Sequence, residues 1–232
     1  TLETVATGAP FVHPRRLWPL VEVIDRNEEP PGRGVLSERI KQAIRHAVNT
    51  RRTTLVFTHR RGYAPAFRCI SCGELRRCAS CASAATNAGI CPRCGDSYRP
   101  CTKCGGRSFE PLGAAVGRVQ DLMRTLVGPG VVGEIGSDAA AQVGTERDLA
   151  ASSLVQLAVI VDGDRILLGT NFRAAEDGLR LIARVAGLVE PGAGNRAVVQ
   201  TLIPDHPAMS ALRHGDPAEF LAEELVHREE TR

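Results

Sequence analysis

The sequence predicts an α/β fold built on a parallel sheet and interrupted by a small cysteine-rich module. Apolar strand-like runs alternate with helix-like segments over short links, the rhythm of a parallel sheet covered by helices. All eight cysteines fall in one stretch, from Cys69 to Cys104. The 232 residues are 43% hydrophobic and 24% charged, an ordinary globular balance. That balance excludes disordered and collagen-like chains, and no run of about 18 apolar residues is present to cross a bilayer. With aromatics at only 4%, the core must be built from Ala, Val, Leu and Ile.

The elements follow in order. Leu20-Val21-Glu22-Val23-Ile24-Asp25 alternates as a strand does. After the turn-rich stretch Pro30 to Gly34, Ser37 can cap a helix through Asn49, with its apolar stripe at Ile40, Ile44, Ala47 and Val48. Thr53 to Thr58 reads as a buried strand. Beyond the cysteines, a helix is expected over Gly117–Leu126 and a strand over Val131–Ile135. Leu157 to Val161 is a short apolar strand ending at Asp162. Asn171 can cap a helix with its stripe at Phe172, Ala175, Leu179, Ile182 and Ala186, stopped near Gly187. Arg196–Ile203 is a further strand. Asp216-Pro217-Ala218-Glu219 has the form of a capping box opening a last helix through Arg228. Segment 136–156 is weakly patterned and reads as loop or short helix. The chain thus divides into a linker (1–17), one domain (18–68 and 105–232) and an insert (69–104). Starting at Thr1 with no charged-then-apolar leader, it reads as a piece of a longer, non-secreted protein.

The cysteines form four Cys-x-x-Cys pairs: Cys69/Cys72, Cys78/Cys81, Cys91/Cys94 and Cys101/Cys104. Two pairs per ion make two tetrahedral four-cysteine zinc sites with no cysteine left over. Gly73, Gly95 and Gly105 follow the second cysteine of three pairs, where positive φ lets the chain turn back and aim amides at sulfur. The stretch between the pairs is small and polar, so metal must supply its folding energy. A disulfide framework is the competing reading. Sequential, crossed and nested groupings of the pairs all use every cysteine.

From His59 to Cys104, eight basic residues against Glu74 and Asp96 give +6, while the whole chain carries +3. The excess either offsets thiolate charge or faces phosphate or a partner. His59-Arg60-Arg61, directly after a strand, is the candidate phosphate contact outside the cysteines, with Arg76 and Arg77 inside them. Asp162 and Asp164 at a strand end can hold Mg²⁺ or serve as turn and cap. Trp18 reads as packing.

Arg60-Arg61-Gly62-Tyr63-Ala64-Pro65-Ala66, followed at once by the four cysteine pairs, resembles the primosomal replication-restart helicase (PriA) family. Val143-Gly144-Thr145, Val161-Asp162-Gly163-Asp164 and Asn171-Phe172-Arg173-Ala174-Ala175-Glu176 are similar to further motifs of that family. The likeness runs from about Leu20 to Arg228. It implies a RecA-like (P-loop NTPase type) second helicase lobe interrupted by a two-zinc module. It implies that Cys69, Cys72, Cys101 and Cys104 share one zinc and that Cys78, Cys81, Cys91 and Cys94 share the other. Gly144 and Thr145 become nucleotide-facing. The implied partners are forked or single-stranded DNA, primosome proteins and the replicative helicase, in the bacterial cytoplasm at the nucleoid and away from membranes.

The chain departs from the family where its arginines would act on a nucleotide. The family's Val-Ala-Gly-Arg-Ala-Gly-Arg is here Val185-Ala186-Gly187-Leu188-Val189-Glu190-Pro191. Arginines that stabilise γ-phosphate charge are worth about 10³–10⁵ in rate. Gly113-Ala114-Ala115-Val116-Gly117 lacks the family's Thr-Glu, and Leu149-Ala150-Ala151-Ser152 stands where a Lys-Gly-His stretch is expected. The expectation is a non-motor protein that binds DNA at stalled forks and helps load the replicative helicase. The alternatives are an ATP-dependent 3′-5′ DNA helicase with this chain as its second lobe, and a zinc-ribbon interaction module with no DNA role.

Overall fold

The structure is a computed structural model that describes residues 18–30, 34–59, 67–83, 85, 89–111, 116–169 and 171–230. The expected linker 1–17 lies outside them. Eight strands are present among these residues: β1 (Leu20–Asp25), β2 (Thr54–Phe57), β3 (Phe67–Cys69), β4 (Phe109–Pro111), β5 (Val132–Glu134), β6 (Ala141–Gly144), β7 (Leu157–Ile160) and β8 (Arg196–Thr201). The helices are α1 (Glu38–Asn49), α2 (Val116–Val127), α3 (Gly163–Leu167), α4 (Ala174–Ala186), α5 (Pro207–His214) and α6 (Ala218–Glu230).

Six strands form one wholly parallel sheet in the order β1-β8-β7-β2-β6-β5, and β3 pairs antiparallel with β4 in a separate hairpin. Every residue of β2, β6 and β7 is buried, as expected where helices cover both faces. Alternation sorts the side chains. Leu55, Phe57, Ala158, Ile160, Ala197 and Val199 face the layer of α3, α4 and α5. Val56, Val143, Leu157, Val159 and Val198 face α1 and α2. The result is a three-layer RecA-like lobe.

Polar ties fix the layers. Ser37 caps α1, its hydroxyl accepting from the Ile40 amide at 3.1 Å. Buried Gln200 on β8 accepts from the Ser37 amide and donates to the carbonyls of Val35 and Val161, linking α1 to two strands. Trp18 donates its indole N–H to the Leu212 carbonyl at 2.7 Å, so it packs against α5.

Segment 136–156 holds β6, the strand next to the β5 edge of the sheet, and a 3-10 turn over Glu146–Ala151. Gln142 breaks the apolar pattern there. Its side chain is spent on the Gly136 amide and the Ser137 carbonyl. Asn171 is not the cap of α4. It accepts from the Arg173 amide at 2.8 Å, the helix starts at Ala174, and Phe172 is 65% exposed instead of joining the stripe. The short helices α3 (Gly163–Leu167) and α5 (Pro207–His214) stand where no helix is expected from the sequence. No helix among the described residues is long and apolar enough to cross a membrane.

Candidate metal centre

The insert leaves the carboxyl end of β2 and is closed at its base by the β3–β4 hairpin, where Cys69 pairs with Phe109. All four Cys-x-x-Cys pairs build the same turn. In each, the first cysteine's amide donates to the carbonyl five residues on: Cys69 to Glu74, Cys78 to Ser83, Cys91 to Asp96 and Cys101 to Gly106, at 2.7–2.8 Å. The residue after the second cysteine donates back to the first cysteine's carbonyl: Gly73, Ala82, Gly95 and Gly105. That residue has positive φ in every case, 76° at Gly73, 82° at Gly95, 72° at Gly105 and 55° at Ala82.

Ala82 is thus the one non-glycine at this turn position, and a left-handed non-glycine residue costs roughly 1–2 kcal/mol. Ala82→Gly is therefore expected to stabilise the module by about 1 kcal/mol. The readout is a higher chelator concentration for half-loss of metal at the inner site, with the outer site unchanged.

The turns bring the eight sulfurs into two groups, Cys69/Cys72/Cys101/Cys104 and Cys78/Cys81/Cys91/Cys94, with the sulfurs of each group within 4.8 Å of one another. The grouping is nested. Cross-site edges measure 3.5 Å for Cys69–Cys104, 3.5 Å for Cys72–Cys101, 3.4 Å for Cys78–Cys94 and 3.5 Å for Cys81–Cys91. A tetrahedron with metal–sulfur bonds of about 2.3 Å has edges near roughly 3.8 Å, whereas a disulfide needs about 2.05 Å. All eight cysteines are free thiols. Two further features fit a metal. A Cβ on Gly106 would stand 3.0 Å from the Cys69 sulfur and 3.3 Å from the Cys104 sulfur, so a side chain there would push on both ligands. Buried Ser83 places its hydroxyl 3.2 Å from the sulfurs of both Cys81 and Cys91, an outer partner that holds thiolate charge.

Burial pushes the Cys91 thiol up, but the Ser83 hydroxyl and the amides of Cys94 and Arg93 outweigh it and hold it down at about 6. Burial likewise opposes ionisation of Cys69, and the Cys72 and Ser71 amides hold it down at about 7. The two tetrads are chemically able to hold two metal ions, one each, in all-thiolate sites.

No protein-family model matches the chain. It is 28% identical to "Replication restart protein PriA" of Treponema pallidum (strain Nichols), over 97% of this chain and 37% of the relative. It is 29% identical to "Probable replication restart protein PriA" of Mycobacterium leprae (strain TN), over 82% of this chain and 32% of the relative. The PriA of Chlamydia pneumoniae is 24% identical over 98% of this chain and 35% of the relative. The chain is similar to these PriA proteins along most of its length. It spans about a third of the length of these PriA relatives.

Within this PriA-like chain the predicted phosphate contacts separate. Arg60 and Arg61 lie outside the described residues. Arg76 is committed to the module: its guanidinium sits 4.2 Å from the Phe109 ring centroid and 5.2 Å from that of Tyr98. Arg77 is exposed and lines a cleft of about 280 Å³ between the first cysteine turn and the sheet, with Arg26, Arg68 and Lys103. Leu75, between the first two turns, is buried in the apolar cluster of the lobe and joins module to sheet. Spacing gave no signal for Ser83, Leu75 or the Arg76 stack.

Gly144 ends β6, and its carbonyl accepts from the Thr58 amide at 3.0 Å. Thr145 gives both its amide and its hydroxyl to Asp148, at 2.8 and 2.9 Å. Asp162 accepts from the Thr58 hydroxyl at 3.1 Å, and Asp164 from the Thr201 hydroxyl and the Leu202 amide at 2.6 and 2.8 Å. The aspartates therefore act as internal ties of the carboxyl edge.

Burial raises Asp162 to about 6, against the pull of Arg165. The raised value means that the folded state prefers the neutral acid. Its contribution is full below the unfolded value near 4 and is lost as pH rises through about 6. Asp162→Asn removes that dependence. At pH 7.5 the variant should exceed the parent in unfolding free energy by up to about 3 kcal/mol, a gap that closes by pH 4 in paired urea titrations.

Proposed function

We propose that residues 18–68 and 105–232 form the second RecA-like lobe of a replication-restart protein and that 69–104 is its two-zinc module. In this reading the chain binds forked or single-stranded DNA together with primosome proteins, and helps load the replicative helicase. The observation that carries it is the pair of nested cysteine tetrads on the carboxyl edge of a parallel lobe, in a chain whose relatives are named for replication restart. Zinc is the ion that four thiolates in a tetrahedron suit best. The place of action would be the bacterial cytoplasm, at the nucleoid.

The motor is absent in this proposal. The stretch that carries the family's arginines is tied down here. Val155 donates to the Leu188 carbonyl, Glu190 donates back to Val155, and the Glu190 carboxylate accepts from Gln156 at 2.6 Å. Leu188 and Pro191 offer no cation, and Glu190 would repel phosphate. A DNA-stimulated ATPase assay on the full gene product tests this. Turnover above about 1 per second, the low end of enzyme rates, would establish the ATP-dependent 3′-5′ helicase instead.

DNA binding is tested by anisotropy of labelled fork DNA. Affinity is expected to fall steeply between 50 and 200 mM salt, as for any phosphate-dominated interface. Arg77→Ala should weaken binding and lower the salt slope by about 1. Failure to bind at low salt would leave a zinc-ribbon module that contacts protein alone.

A further inference from the structure

Each tetrad exposes one cysteine, Cys94 in the inner set and Cys104 in the outer, while two others are buried and one is half-buried. The sulfur of the exposed residue faces that of a buried one across the site: Cys94 lies 3.4 Å from Cys78, and Cys104 3.5 Å from Cys69. The remaining short edges join a half-buried sulfur to a buried one. In the inner site that edge, Cys81–Cys91, also carries the Ser83 hydroxyl, which draws charge off both sulfurs.

We propose that Cys94 and Cys104 are the points at which a peroxide attacks the module, and that oxidation forms Cys78–Cys94 and Cys69–Cys104 disulfides and releases both ions. The exposed thiolate attacks the O–O bond, forming a sulfenic acid and expelling one hydroxide. The buried thiolate opposite attacks the sulfenic sulfur, closing the S–S bond and expelling a second hydroxide. Two thiolates lose two electrons, one hydrogen peroxide gains them, and solvent protons turn both hydroxides into water. Shortening each edge to about 2.05 Å moves the sulfurs by under roughly 1.5 Å. A site left with two thiolates no longer holds its ion. The module would thus report oxidation by unfolding while the lobe persists, and a thiol reductant with zinc would restore it.

This rests on the zinc reading, so zinc per chain is measured first. The zinc-loaded chain is then treated with limiting N-ethylmaleimide, and the labelled cysteines are read by peptide mass spectrometry. A second sample receives hydrogen peroxide, with zinc release followed by a chromogenic chelator and disulfides mapped in a non-reducing digest. Labelling at Cys94 and Cys104 ahead of the other six, with one zinc released per cross-site disulfide, is the expected result. Equal labelling of all eight, first disulfides inside a Cys-x-x-Cys pair, or zinc retained under peroxide would each overturn the proposal alone. A chain that takes up no zinc would overturn the metal reading and this proposal with it.

Discussion

Cys91→Ser is expected to lower bound zinc from two ions per chain to one and to unfold the inner part of the module, leaving the six-stranded sheet intact. Structural zinc sites contribute about 10–16 kcal/mol to the fold of the segment they close, far more than any single contact here. The stretch between Cys78 and Cys94 has little else to hold it: Cys78, Cys91, Ser83 and Ala85 are buried, and most of its other described residues are exposed or half-buried. Cys69→Ser should empty the outer site and loosen the β3–β4 base. Complete chelation should remove both ions and the whole module. Elemental analysis gives the stoichiometry, and hydrogen exchange shows where protection is lost. Amides of β2, β7 and β8 should keep theirs; their loss along with the module would show that the lobe depends on metal.

The complementary experiment is Phe57→Ala. Phe57 is the bulkiest side chain among the fully buried residues, and it closes β2 on the α3–α4–α5 side. Truncating a buried phenylalanine costs about 3–5 kcal/mol, much of the 5–15 kcal/mol that a domain usually has. Lobe unfolding should shift by that amount in urea, while zinc content stays at two per chain. A variant that loses zinc in step with its stability would show one cooperative unit instead of two.

Much of the lobe is legible in sequence because its strands are long or wholly apolar. The alternation of Leu20 to Asp25, the run Leu157 to Val161 and the Ser37 cap all appear where the residues put them. β6 is hidden because Ala141-Gln142-Val143-Gly144 contains a polar residue satisfied by its own loop and a glycine with no side chain to read. α3 is too short to show a period. In the candidate site, spacing identifies the ligands but not their grouping, since that depends on which turns meet in space. The Arg76 stack draws its rings from Tyr98 and Phe109, which local pattern cannot bring together.

The hairpin at the base has a consequence for how the module can be handled. Because Cys69 and Phe109 are antiparallel neighbours, the chain departs from and returns to the lobe at adjacent points. The intervening residues form an appendage carried on this stem like a leaf on its stalk, with Leu75 as a second hold on the lobe. A short turn grafted between the two stem strands would excise the appendage, and would uncover the place that Leu75 fills in the apolar cluster of the lobe.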